Sequence, residues 1–79
     1  DTQAIAVVFV GGQELRTLTE LWAAFGNGSY LEWEWRTQED EEFHTILSSD
    51  SRLSHSGFRL NINNEEVNHN ATFRCTVVI

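Results

Sequence analysis

Apolar and polar positions alternate with a period of two along most of the chain, the pattern of half-buried β-strands. Ala4–Val10, rich in β-branched residues, reads as the first strand, with Val7 and Phe9 facing inward. Gly11-Gly12-Gln13 breaks it, because glycine accepts the positive φ of a tight turn. Leu15–Phe25 carries two periods at once. Leu18, Leu21, Trp22 and Phe25 fall at helical spacing, while Thr17, Thr19, Leu21, Ala23 and Phe25 alternate as in a strand. The β-branched threonines and the flanking strands weight this segment toward β. Gly26-Asn27-Gly28-Ser29 is a turn. Tyr30–Arg36 follows as a strand, with Leu31, Trp33 and Trp35 on one face and Glu32, Glu34 and Arg36 on the other.

Thr37–Glu42 is a polar, acidic loop, Phe43–Leu47 a short edge strand, and Ser48–Gly57 a Ser-rich connection. Phe58, Leu60 and Ile62 alternate against Arg59 and Asn61 as a further strand. Asn63–Asn70 is polar and turn-like. Ala71–Ile79 closes the chain with Ala71, Phe73, Cys75, Val77 and Ile79 on one face. The pattern therefore predicts an all-β, antiparallel β-sandwich of about seven strands with no secure helix, as a single domain spanning 1–79. Its expected core is Trp33, Trp35, Leu60, Ile62, Phe73, Cys75 and Val77, joined by Val7, Phe9 and Leu21.

Composition narrows what such a domain can do. The 79 residues include no Pro, no Met, no Lys and one Cys, with a formal net charge of −7. The acidic balance argues against nucleic acid, whose phosphates need clustered Lys and Arg, and against anionic lipid. No run approaches the roughly 18–20 apolar residues of a membrane span, so no direct membrane insertion is expected. The sequence opens Asp-Thr-Gln without a basic leader pattern, so it reads as a processed chain or as one module of a longer one. One Cys excludes an internal disulfide framework and a multi-Cys zinc site.

Two segments carry a family resemblance. Leu60-Asn61-Ile62, followed after 13 residues by Cys75 in Phe73-Arg74-Cys75, resembles the L-x-I to Y-x-C region of immunoglobulin-like domains. Phe73 stands for the tyrosine-corner Tyr, and Trp33 or Trp35 for the strand-C tryptophan. The second-strand Cys of that family is missing. Ala71–Ile79 is similar to the G-x-Y-x-V-x-L-x-V strand of polycystic-kidney-disease-type (PKD) repeats, in which Cys75 replaces an ordinary Val. Tyr30–Trp35 resembles the Y-x-W region of the same repeats. The W-D-F-G-D-G signature is absent, since the chain reads Trp35-Arg36-Thr37-Gln38. The likeness covers about a third of the chain. It implies an immunoglobulin-like, PKD-like sandwich of an extracellular multidomain protein.

Little in the chain points to catalysis. Cys75, between Phe73 and Val77, reads as a buried structural thiol. His44, His55 and His69 have no ligand spacing, and no cofactor or metal is implied. Glu39, Asp40, Glu41 and Glu42 lack the spacing of a calcium loop and read as a solvated loop that keeps other chains off an edge strand. Gly11-Gly12-Gln13 matches a release-factor tripeptide, but here it sits in a turn of an acidic domain. Asn27-Gly28-Ser29 and Asn70-Ala71-Thr72 are N-glycosylation sequons. Trp22 and the acidic loop 39–42 are candidate interaction residues. The expectation is a non-catalytic, glycosylated module on the extracellular or lumenal side, with a role in protein recognition, adhesion or spacing. Its partners would be another protein and the neighbouring domains of its own chain. The alternatives are an intracellular immunoglobulin-like domain of a tandem array and an accessory carbohydrate-binding module of a secreted enzyme.

Overall fold

The structure, a computed structural model, describes residues 2–79. It contains β1 (Thr2–Ile5), β2 (Val8–Val10), β3 (Gln13–Leu15), α1 (Leu18–Phe25), β4 (Tyr30–Arg36), β5 (His44–Ile46), β6 (Arg59–Ile62), α2 (Asn64–Asn68) and β7 (Thr72–Val78). The chain is mostly β, and every strand pairing is antiparallel. β1 pairs with β6, β2 with β3, and a three-stranded sheet runs in the order β5-β4-β7.

β4 follows its alternation. Leu31 and Trp33 are buried, and Trp35 is half-buried on the same face. Opposite them on β7 stand Val77, Cys75 and Phe73. Across the core, Trp33 and Ile46 pack with Leu60 and Ile62 of β6, and Trp35, Phe73, Leu53 and Ala4 close around them. A second cluster joins Leu31 to Leu15, Leu21 and Phe58, with Leu18, Phe25 and Val77 at its margin. The Trp33 indole N–H donates to the Gly57 carbonyl at 2.6 Å, which ties the Ser-rich connection to the sheet. On the outer face Arg74 pairs with Glu34 at 2.8 Å and lies 3.8 Å over the Phe43 ring.

Four expectations need correction. Leu18–Phe25 is a helix, not a strand. Thr17 caps it by accepting the Glu20 N–H, and the Glu20 carboxylate takes the Arg16 N–H. The Thr17 bond satisfies a donor that a helix start leaves unpaired, the Glu20 bond holds the residue before the cap, and Leu21 then points into the core at full burial. The polar stretch 63–70 also holds a short helix, α2, started by a capping box between Asn63 and Glu66.

The first strand, expected as one over Ala4–Val10, is two, β1 and β2, in different sheets, and it has the opposite phase. Ala4 lies opposite Leu60 in the β1–β6 ladder and shares its inward face, so Ile5 turns outward beside Arg59. Val7 and Phe9 are exposed with it, and the core is met by Ala4, Ala6 and Val8. There Ala4 and Ala6 pack against the cluster of Trp33, Ile46, Leu60 and Ile62, and Ala6 and Val8 against that of Leu15, Leu21, Leu31 and Phe58.

Cys75 is the fourth correction, because it is exposed. It shares the face of Trp33, but it lies on an edge strand and belongs to neither core cluster.

Candidate functional site

A concavity lies where β5 stops short. β5 pairs only Trp33, Glu34 and Trp35 of β4, so Tyr30–Glu32 has no paired strand on that side, where the 53–57 connection lies instead. Among the described residues no backbone hydrogen bond reaches this stretch from the β5 side. The gap opens into a groove of about 470 Å³. Leu18, Leu31, Ile46, Leu47 and Leu53 line it, with Tyr30, Glu32, His55 and the hydroxyls of Thr45, Ser48, Ser54 and Ser56 as its polar groups. Leu47 is 67% exposed and Tyr30 47%, so much of the wall is apolar surface in water.

The groove's walls follow from local sequence. Leu18 is the first residue of α1 and is placed by the Thr17 cap. The 47–57 connection is folded on itself by turns, with the Asp50 N–H donating to Leu47 O at 2.9 Å and the Gly57 N–H to Ser54 O at 3.0 Å. Gly57 has φ +79, and its Cβ position lies 4.0 Å from the Leu31 side chain. A left-handed residue is needed there for the connection to turn under Trp33. Arg52 anchors the connection by pairing with Asp50 at 2.9 Å and with Glu66 of α2 at 2.7 Å. The Asp50 carboxyl is held below its ordinary range by the Arg52 hydrogen bonds.

The other candidate residues lie apart from the groove. Trp22 is 38% exposed, and its indole N–H is taken by the Ser29 carbonyl at 2.8 Å. Its polar end therefore serves the α1–β4 turn. In the acidic loop, Asp40 accepts the Glu42 N–H and bonds His44 of β5. That histidine bond, first among several causes, pulls the Asp40 carboxyl down from its ordinary range. Glu39, Glu41 and Glu42 point into solvent. His44 stacks at a tilt on Trp35, and His69 lies 3.8 Å from Glu39. No group of three or more His, Cys, Asp or Glu among the described residues is arranged to hold a metal ion.

Both sequon asparagines are exposed. Asn70 occupies a left-handed turn at φ 51 between α2 and β7, and Thr72 beside it is exposed. Ser29 of the other sequon is buried, and its hydroxyl donates to the Gly26 carbonyl at 2.8 Å. Cys75 is far from a reactive thiolate, since desolvation by its neighbours pushes its pKa up to about 11.

The groove could not be read from the sequence, because it exists where a three-residue strand lies beside a seven-residue one. The only hint was the unequal length of the two alternating runs. No protein-family model matches the chain, and neither do any curated protein or solved structure.

Proposed function

We propose that this chain is a non-catalytic recognition module that takes an extended segment of a partner protein into the groove beside Tyr30–Glu32. The observation that carries this reading is the unpaired edge of β4 flanked by four leucines. An incoming strand would complete the ladder that β5 leaves short, with main-chain bonds supplying affinity and the leucines selecting apolar side chains at alternate positions. The partner segment would carry Lys or Arg, because Glu32 lies in the groove wall and the chain holds a formal charge of −7.

Placement on the extracellular or lumenal side of a larger protein rests on the two exposed sequon asparagines. An immunoglobulin-like or PKD-type arrangement draws support from the sheet order. The tryptophan strand β4 lies beside β7, as strand C lies beside strand F, and Leu60 and Ile62 of β6 pack against Trp33 and Ile46. Helix α1 is a departure from that plan.

A random-peptide display library panned against the chain tests the reading. It should enrich sequences with alternating apolar residues and at least one Lys or Arg. Their binding should be lost with Leu47→Asp, an exposed position that the fold tolerates, and kept with Trp22→Ala. Enriched peptides that bind the Leu47→Asp chain as well as the parent would refute the groove, as would the absence of any enriched class.

A further inference from the structure

A smaller recess of about 210 Å³ lies at the other end of β4 from the groove. Trp35, Thr37, Asn63, Glu65 and His69 surround it, and the Arg52–Glu66 ion pair also lies in its wall. Several of these groups are unspent. Trp22 and Trp33 each give the indole N–H to a backbone carbonyl, whereas that of half-buried Trp35 meets no acceptor among the described residues. Asn63 uses its side-chain oxygen on the Glu66 N–H, which leaves its amide N–H groups over. The Glu65 carboxylate makes no bond among the described residues, and Glu66 Oε2 is buried without a donor. A buried oxygen left unmet costs free energy until a donor reaches it.

The recess therefore offers donors, acceptors and part of an aromatic ring, with charges of both signs in its wall. A neutral sugar matches that set. Each hydroxyl both donates and accepts, and the C–H faces of the ring pack on indole.

A sequon adjoins the recess. Asn70 follows His69 of the wall, and its amide N–H donates to Gln38 Oε1 at 2.9 Å. Gln38 in turn follows Thr37, and its backbone N–H donates to His69 O at 3.3 Å. These bonds hold the Asn70 amide where the 37–38 and 69–70 segments meet. The amide nitrogen has two hydrogens, so the bond to Gln38 leaves one for substitution.

We propose that Asn70 carries a glycan whose first N-acetylglucosamine is seated in this recess, against Trp35. In its attachment, Asn70 Nδ2 bonds the anomeric carbon of a sugar delivered on a polyprenyl diphosphate. The bond from that carbon to the diphosphate oxygen breaks, the diphosphate leaves with the electron pair, and Nδ2 gives up one proton. This rests on the lumenal placement proposed above. So short a tether gives the sugar an effective concentration on the order of millimolar, enough to fill a site too weak to capture the free sugar. Once seated, the sugar joins the 37–42 loop to α2 and leaves the groove beside Tyr30–Glu32 open.

The test uses the Asn27→Gln chain, in which Asn70 is the remaining sequon, secreted from yeast and trimmed by an endoglycosidase to one N-acetylglucosamine. The same chain made without glycan is the reference. Mass spectrometry of the Asn70 peptide reads occupancy, and nitrogen–proton spectra read the indole signals. The expected result is an occupied Asn70, with the Trp35 indole signal shifted and its exchange with water slowed at least about tenfold. The Trp22 and Trp33 signals stay in place, and nuclear Overhauser contacts join the sugar to the Trp35 ring. An unoccupied Asn70 overturns the glycan and the lumenal placement together. An occupied Asn70 with an unmoved Trp35 indole and no such contacts overturns the seat alone. The parent chain, read at Trp35 only, gives the same decision should the variant not be secreted.

Discussion

Trp33 and Trp35 stand two residues apart on one face of β4 and differ in what surrounds them. Trp33 is 3% exposed and bonded through its indole to Gly57, whereas Trp35 is half-buried and leans on the His44 ring. Trp33→Ala should cost roughly 3–5 kcal/mol, as for a large buried aromatic, and Trp35→Ala less than half as much. Urea midpoints of the two variants decide this, and equal losses would contradict the packing described.

Cys75 shows the same dependence on position within a strand. Alternation assigned it correctly to the Trp33 face but could not show that the two core clusters take in Phe73 and Val77 on either side and leave Cys75 out. Its thiol titrates near 11, so the thiolate fraction rises with pH throughout the range below that value. Alkylation by iodoacetamide should therefore quicken about tenfold per pH unit from pH 8 to 10. A plateau by pH 9 would show an ordinary thiol. Glycan attachment belongs to this scale too. Asn70→Gln should remove most of the added mass in a secretory host, because Thr72 is open to solvent while Ser29 is buried and bonded.

At the scale of elements, the two helices show where pattern reading fails. Leu15–Phe25 satisfied both periods, and propensity chose the wrong one. The signal that decides it is Thr17 followed three residues on by Glu20, repeated as Asn63 and Glu66 before α2. Capping is a hydrogen-bond requirement of the helix start, and it outweighs a weak β preference of two threonines. Thr17→Ala should lower stability by about 0.5–2 kcal/mol, read from thermal or urea unfolding, with Thr17→Ser largely neutral. The phase of β1 was illegible for another reason. Ala4–Val10 is apolar on both faces, so only the registers of β1 against β6 and of β2 against β3 set which side chains turn inward. By contrast β4, β6 and β7 alternate cleanly, and their strands were legible, Cys75 of β7 apart.

At the scale of the molecule, the acidic composition separates into pieces with different roles. Glu34 is held below the ordinary carboxylate range by Arg74, Asp50 by Arg52 and Asp40 by His44. A depressed carboxyl contributes stability that is fully present above its unfolded value and is lost as pH falls through its folded one. Unfolding free energy should therefore decline as pH drops below about 4. The Arg52→Ala chain should show a shallower decline, since Asp50 would return toward its ordinary value. An unchanged acid slope would remove Arg52 as the anchor of the groove-wall connection.

The groove itself is a property of the whole fold, made by one short strand beside a long one and walled by α1 and the 47–57 connection. Nuclear magnetic resonance titration of the labelled chain with a display-selected peptide tests its role most directly. Binding in the groove should shift the amides of Tyr30–Glu32 and Thr45–Ser48 and leave those of the Ile5, Val7 and Phe9 stripe unmoved. Shifts confined to that stripe, to the acidic loop or to the surroundings of Trp22 would contradict the assignment of the groove as the recognition site.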